Sequence, residues 1–354
     1  MKYALIGCGR IAPHHISAAR KNSLEISCIC DIDKEKMSAF AQKQSLNCAL
    51  YTDYKEMLQK EKPTLVAIAT DSGSHAEIAK TAIRAGANLI IEKPISLSLA
   101  DAREIIALAK QYSVKVCACH QNRFNAAIQK ARAALLEGRF GNLSHGAITV
   151  RWSRGKAYYD QADWRGTWQG DGGTLMNQCI HGFDLLRWFF GDEIEEVYGT
   201  ISRNFHPYNE AEDLGQAIIK FKNGATATAE GTVNIYDSLL DTETLCIYGD
   251  KGACEIGGTA ANKITVWSFA DGEHSEDDKL SEEVKNVYGN GHDSIYADVV
   301  DAIQNDRAPY VDAEAGYRAL ELILAIYKSQ KEGKSINLPL DDFSTEDMLG
   351  FFDK

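Results

Sequence analysis

Tyr3-Ala4-Leu5-Ile6-Gly7-Cys8-Gly9-Arg10-Ile11-Ala12 opens the chain with an apolar run that breaks into glycines and then into a helical pattern. A G-x-G-x-x-A spacing is weak evidence alone; strand before it and helix after it give it meaning. Gly7 permits the tight turn, Gly9 lets the backbone approach a pyrophosphate, and Ala12 lets the helix pack on the strand. The helix entrance at Arg10 and Ile11 offers N–H groups to that anion. The second apolar run ends in Cys30-Asp31-Ile32-Asp33. Asp31 stands roughly twenty residues past the glycines, where a carboxylate accepts hydrogen bonds from both adenosine ribose hydroxyls. It would repel a 2′-phosphate, so the expected cofactor is NAD rather than NADP. The plain alternative is a glycine turn and a capping Asp with no ligand.

Outward from this turn, residues 1–120 alternate apolar runs (3–6, 26–30, 65–69, 88–91, 115–119) with helical patterns (17–21, 34–43, 54–59, 75–85, 100–112). Gly86 stands where a helix C-cap belongs. Such alternation implies a parallel sheet covered on both faces, a doubly wound α/β domain. After a linking helix near 125–137 the grammar changes. Strand-like runs at 144–152, 197–203, 216–221, 226–234, 244–248, 253–256 and 263–269 are joined in part by tight turns, Lys222-Asn223-Gly224 and Gly249-Asp250-Lys251-Gly252. A largely antiparallel sheet with one face covered and the other open is expected over 121–354. One helix lies within it near 174–190. Two more, at 293–305 and 313–331, are expected to return to the first domain, the second with Ala319, Leu322, Ile323 and Ile326 on one face. The polar stretch 271–285 reads as a mobile loop.

The chain has 354 residues, 45% hydrophobic and 25% charged, with a net charge of -12. Two domains of ordinary globular composition follow. The acidic balance disfavours a general nucleic-acid binder, although a local basic pocket for a small anion remains open. Nine Cys show no pairing framework and no zinc spacing. No metal is expected, and the thiols read as buried and reduced, in a cytoplasmic protein. No window approaches a membrane span, and the N-terminus runs into a strand rather than a signal core.

Glu92-Lys93-Pro94 interrupts an apolar strand where parallel strands deliver groups to a ligand crevice. Lys93 there is either a solvated strand end or a donor that polarises a developing carbonyl. Pro94 constrains its direction, through a cis peptide in one reading. In Gly172-Gly173-Thr174-Leu175-Met176-Asn177-Gln178-Cys179-Ile180-His181-Gly182-Phe183-Asp184 the glycines open a helix. Helical spacing puts Asn177, His181 and Asp184 on one face. A lone His on an apolar helix is commonly a satisfied core residue, but this polar stripe tilts His181 toward a base for an alcohol proton.

Taken in order, the glycine fingerprint, the Asp closing the second strand, E-K-P, and a Gly-Gly-opened helix bearing His then Asp resemble the Gfo/Idh/MocA oxidoreductases. The resemblance covers nearly the whole chain. It implies a Rossmann domain followed by an open-faced α/β domain that pairs through its sheet into dimers or tetramers. It implies oxidation or reduction of a sugar-like secondary alcohol, with Lys93 and His181 as the catalytic pair. It also implies that Thr70, Ser72, His75, Glu92, Lys93 and Gln121 join the fingerprint residues around NAD. Many members carry Asp four residues before the His. Asn177 stands there, and it cannot stabilise an imidazolium by charge.

That departure, with Tyr158-Tyr159-Asp160, Trp164-Arg165-Gly166-Thr167-Trp168, Met176-Asn177-Gln178 and Asn286-Val287-Tyr288-Gly289, resembles the nucleotide-sugar branch, the 3-dehydrogenases of UDP-N-acetylglucosaminuronic acid. Tyr159, Thr167, Asn177 and Tyr288 then belong with Lys93 and His181 around the substrate. Arg123 and Arg165 are either anion contacts or cation–π packing. The implied reaction removes a hydroxyl proton to His181 and a hydride from the same carbon to the nicotinamide. An inositol or free-sugar dehydrogenase, and a catalytically silent NAD-binding regulator, are the competing readings.

Overall fold

The computed structural model describes residues 1–272, 280–283, 289 and 291–353. It divides into two compact units, Met1–His120 with His292–Tyr317, and Gln121–Gly291 with Arg318–Lys354.

In the first unit, β1 (Lys2–Ile6), β2 (Glu25–Cys30), β3 (Ala49–Tyr51), β4 (Leu65–Ile68), β5 (Asn88–Ile91) and β6 (Val116–Ala118) form one parallel sheet in the order β3-β2-β1-β4-β5-β6. The order reverses beside β1, the switch point at which such sheets bind ligands. Leu65, Val66, Ala67 and Ile68 are all fully buried, as a central parallel strand covered on both faces requires. The edge strand β3 has no counterpart in the sequence reading. It is three residues long and only half-buried, too short to show a pattern.

The helices between these strands are α1 (Ala12–Lys21), α2 (Lys34–Lys43), α3 (Tyr54–Glu61), α4 (His75–Arg84) and α5 (Leu99–Tyr112). Asp33, Asp53 and Ser98 cap α2, α3 and α5 by accepting backbone N–H groups. Helix α1 begins without any side-chain cap.

The second unit continues with α6 (Ala126–Leu136), β7 (Leu143–Arg151), α7 (Lys156–Tyr159), a π-helical turn (Leu175–Cys179) and α8 (Ile180–Phe190). Strands β8 (Ile194–Ser202), β9 (Leu214–Phe221), β10 (Thr226–Thr232), β11 (Thr242–Gly249), β12 (Gly252–Gly257) and β13 (Lys263–Phe269) follow. Helix α9 (His292–Gln304) returns to the first unit and packs on α1. Then come α10 (Ala313–Glu332) and β14 (Ile336–Asn337). The sheet runs β13-β12-β11-β7-β10-β9-β8-β14, and every pairing is antiparallel except β10 with β7.

Along β9, Ala217, Ile219 and Phe221 point inward while Gln216, Ile218 and Lys220 point out. Helix α8 covers the inner face closely. A methyl on Gly146 of β7 would lie 2.2 Å from the Phe190 ring, so only glycine admits that approach. Each fully buried Leu, Ile or Phe at this contact contributes about 2 kcal/mol. The other face keeps Tyr198 at 53% and Ile218 at 54% exposure. Helix α10 is not one-faced: Leu320, Leu324 and Tyr327 are buried along with Ala319, Leu322, Ile323 and Ile326. Most of the 271–285 loop lies outside the described residues.

Candidate active site

In the first unit, the glycine turn is shaped for a pyrophosphate. Gly7 takes φ +96, and a methyl there would sit 2.4 Å from the Ala69 carbonyl oxygen. Gly9 faces open space, with nothing within 4 Å of an added methyl. Arg10 is exposed and Ile11 half-buried just before the uncapped start of α1. Open room above Gly9 and an uncapped helix start fit an anion. Asp31 is held ready beside it. Its Oδ2 accepts from Cys8 N at 2.8 Å and pairs with Lys36 at 3.1 Å, and Oδ1 accepts from Asp33 N at 3.0 Å.

The loop after β4 carries Thr70 and Ser72. The Thr70 hydroxyl accepts from Ser74 Oγ at 2.7 Å, and Ser72 is buried in a short turn before α4. His75 Nδ1 donates to the Pro94 carbonyl at 2.8 Å, and burial holds the ring toward its neutral form. Its Nε2 is buried without a hydrogen-bond partner among the described residues, an orphan that a ligand can satisfy. The Lys93-Pro94 peptide is cis, as one reading of the sequence has it.

Glu92 departs from a simple cofactor contact. Its Oε1 lies 3.0 Å from His15 Nε2 and 3.5 Å from His292 Nε2, and its Oε2 accepts from Lys93 N at 3.3 Å. Burial would push this carboxyl up, but the histidine hydrogen bonds outweigh it and hold it well below the usual range. The three side chains converge within 4.8 Å through these contacts.

In the second unit, the sequence stripe resolves into three separate pairs. His181 Nε2 faces Gln121 Nε2 at 3.3 Å. An amide nitrogen only donates, so in this contact Nε2 is the acceptor. Asn177 donates to Asp171. Asp184, fully buried, takes both forks of Arg123, Nε at 2.7 Å and Nη2 at 2.6 Å. The π-turn at 175–179 widens the helix beneath Asn177, so α-helical spacing does not carry through to His181.

Arg123 is 3% exposed and lies 4.8 Å over Trp188, a packed and paired cation. Arg165 is placed differently. It is half-buried, donates to the Tyr158 hydroxyl, and lies 4.3 Å over Tyr158 and 4.5 Å over Trp164. Its Nε is buried without a partner among the described residues. Gln178 Nε2 also donates to Tyr158 Oη, at 2.7 Å. Arg165, Tyr158, Gln178, Asn177 and Asp171 therefore form one polar cluster. Tyr159 packs beside it against Tyr158, His206 and Tyr208. The Thr167 hydroxyl serves its own turn, donating to Trp164 O at 2.7 Å and accepting from Gly170 N at 3.0 Å. Trp168 is core, edge-on to Tyr327 and stacked on Phe352. Tyr288 lies outside the described residues.

Asp171, Glu212 and Glu243 are among the buried acids that escape the sequence reading. Glu212 and Glu243 stand outside every motif read above and Asp171 just before the Gly172-Gly173 pair, and the partners of all three are set by the fold. Glu212 Oε1 accepts from Leu175 N at 2.8 Å and lies 2.8 Å from Tyr327 Oη. Burial pushes Glu212 up to about 8 and Glu243 up to about 7. Tyr327 also donates to Gly172 O at 2.9 Å. One hydroxyl proton cannot serve both, so a protonated Glu212 supplies the second hydrogen bond.

Residues 1–120 match the model of the oxidoreductase family's NAD-binding Rossmann fold, and residues 132–338 match its C-terminal alpha/beta domain. Among solved structures, the chain resembles the WlbA dehydrogenase of Bordetella pertussis, solved in complex with NADH and UDP-GlcNAcA. The TM-score is 0.87 at 32% identity, over 96% of this chain and 99% of that one. The WlbA dehydrogenase of Chromobacterium violaceum, solved with the same two ligands, gives 0.86 at 34% identity, over 96% of each chain. Among curated proteins, myo-inositol 2-dehydrogenase of Thermotoga maritima is 24% identical, over 96% of this chain and 98% of its own. With both family domains matched in order and both units folded accordingly, the chain belongs to the Gfo/Idh/MocA family of NAD-dependent oxidoreductases.

Proposed function

We propose that the chain oxidises the C3 hydroxyl of a UDP-N-acetylhexosaminuronic acid to a ketone. The cluster of Arg165, Tyr158, Gln178 and Asn177 carries this reading. It offers an anion contact on an aromatic platform and an uncharged amide where many family members keep a carboxylate. The likeness to two enzymes solved with NADH and UDP-GlcNAcA supports it. NAD, when bound, accepts the hydride. The turn at Gly7 and Gly9, with Asp31, Thr70, Ser72 and His75, holds it. His181 takes the hydroxyl proton at Nε2, after the weak Gln121 contact gives way. Lys93 donates a hydrogen bond to the reacting oxygen. Tyr159, Thr167 and Tyr288 complete the substrate contacts, while Arg123 acts through Asp184 rather than on the ligand.

The open sheet face is read as a contact between copies of the chain, and nine free cysteines suit a reducing cytoplasm. Among the described residues, no helix is long and apolar enough to cross a membrane.

The test is a substrate panel of UDP-N-acetylglucosaminuronic acid, UDP-N-acetylglucosamine, myo-inositol and free hexoses. NADH is followed free and enzyme-bound without a reoxidant, and the keto-sugar product is followed with a second substrate present that can reoxidise bound NADH. Turnover is expected with the uronate alone, falling roughly 100-fold or more in Lys93→Met and in His181→Ala. Turnover of myo-inositol without the uronate overturns the substrate class. No NADH with any alcohol overturns catalysis itself.

A further inference from the structure

Four elements of the first unit bring polar side chains to one buried place: Tyr3 from β1, His15 from α1, Glu92 from the end of β5, and His292 with Tyr296 from α9. All five are less than 9% exposed. Tyr3 Oη lies 2.8 Å from Tyr296 Oη, which lies 2.7 Å from His15 Nδ1, and His15 Nε2 lies 3.0 Å from Glu92 Oε1. The chemistry of the ends fixes every proton between them. The Glu92 carboxylate only accepts, so His15 carries its proton on Nε2. Nδ1 must then accept, so Tyr296 donates to it, and Tyr3 donates to Tyr296. The chain is polarised in one direction, toward Glu92.

A buried carboxylate with such an escort is costly unless its charge is used or compensated. The charge next to it in sequence is Lys93, whose backbone N–H reaches Glu92 Oε2. Cys119, at the end of β6, lies in electrostatic range of both Glu92 and Lys93. Of the other titratable groups here, burial keeps His15 and His75 neutral, and it keeps Tyr3, Tyr296 and Cys119 un-ionised at neutral pH. His14, half-buried on α1, is lowered likewise. Glu92 is left as the anion.

We propose that Glu92 is a positioning residue for Lys93: the buried carboxylate, held by His15 and His292, fixes the start of the Lys93-Pro94 turn and keeps the neighbouring amine protonated. A cationic Lys93 donates to the substrate oxygen and stabilises negative charge developing on it. This rests on the catalytic role given to Lys93 above.

The test reads Lys93 itself and needs no substrate. Lysines are reductively methylated with 13C-formaldehyde, the Lys93 resonance is assigned by its loss in Lys93→Arg, and its pH titration is followed by NMR. In Glu92→Gln the titration midpoint is expected to fall by about 1 unit or more, since an anion beside an ammonium favours the charged form. His15→Gln should give a smaller fall, and Glu92→Asp should recover most of the wild-type value. An unmoved Lys93 midpoint in folded Glu92→Gln, whatever its melting temperature, overturns the proposal. Should that variant not fold, the same reading in His15→Gln decides. Turnover of UDP-uronates with an unmoved midpoint sinks this inference alone. A shifted midpoint with no such turnover leaves it standing while the substrate assignment falls.

Discussion

At the scale of single residues, the pairing of Asp184 with Arg123 gives the sharpest expectation. Both side chains are almost fully buried, so removing the acid leaves an uncompensated guanidinium in a dry site. Asp184→Ala should lose about 3–5 kcal/mol of stability in urea unfolding of the second unit, far more than a surface pair would. A loss below about 1 kcal/mol would show that water or another acid reaches Arg123. Lys93 and His181 could be singled out as candidates in sequence because each stands in a motif with its own spacing. The role of Arg123 could not. Its partner is 61 positions away, and the sequence offered packing and ligand contact as equal readings. Asn177 could be singled out as unusual, but Asp171, which receives its amide, carries no signal of its own.

At the scale of elements, the helix opened by Gly172 and Gly173 was legible, while its π-turn was not, because one extra residue per turn leaves no mark on an apolar stretch. The structure explains Gly173 through one acid. Gly173 takes φ +97, and a methyl there would lie 2.0 Å from Glu212 Oε2. Glu212 is itself pinned by Leu175 N and Tyr327, so it cannot swing away at little cost. Gly173→Ala should therefore cost about 2–3 kcal/mol, combining backbone strain with displacement of a buried group. Asn177 sits on the same turn, so substrate KM should rise while NADH affinity holds. A melting temperature equal to wild type would contradict this. Edge strand β3 is the other element missed, and for the opposite reason: three half-exposed residues hold too little pattern to read.

At the scale of the whole molecule, two buried carboxyls set a pH dependence. In the folded chain at neutral pH Glu212, at about 8, is mostly protonated and Glu243, at about 7, is about half protonated. In the unfolded chain a glutamate titrates near about 4.3. Between those values the folded state binds protons that the unfolded state has released, so stability falls as pH rises, by up to about 1.4 kcal/mol per pH unit for each acid. Unfolding followed between about pH 5 and about pH 7 should show that slope relative to the Glu212→Gln, Glu243→Gln double variant, which should be flatter. Identical slopes would mean that both acids ionise in place. The open sheet makes a second expectation. On the proposed pairing of copies through this face, Ile218→Lys, beside Tyr198, should sediment as a smaller species than the unsubstituted chain at little cost to the melting temperature, and equal sedimentation of the two would overturn the pairing. The doubly wound and antiparallel halves were both legible from their different periodicities. The point at which α10 passes from one unit to the other was not, since an enclosed helix reads alike on either side.

The first unit is not one continuous piece of chain: His292–Tyr317 completes it, and α9 brings the Tyr296 hydroxyl that His15 accepts. Genetic exchange of cofactor modules between relatives thus needs two crossovers, not one. A single recombination near residue 120 would pair one parent's His15 and Glu92 with the other parent's His292 and Tyr296. Chimaeras that respect both seams should express as soluble protein where single-seam fusions aggregate, and inheritance of this unit should leave a matched pair of breakpoints in any mosaic gene.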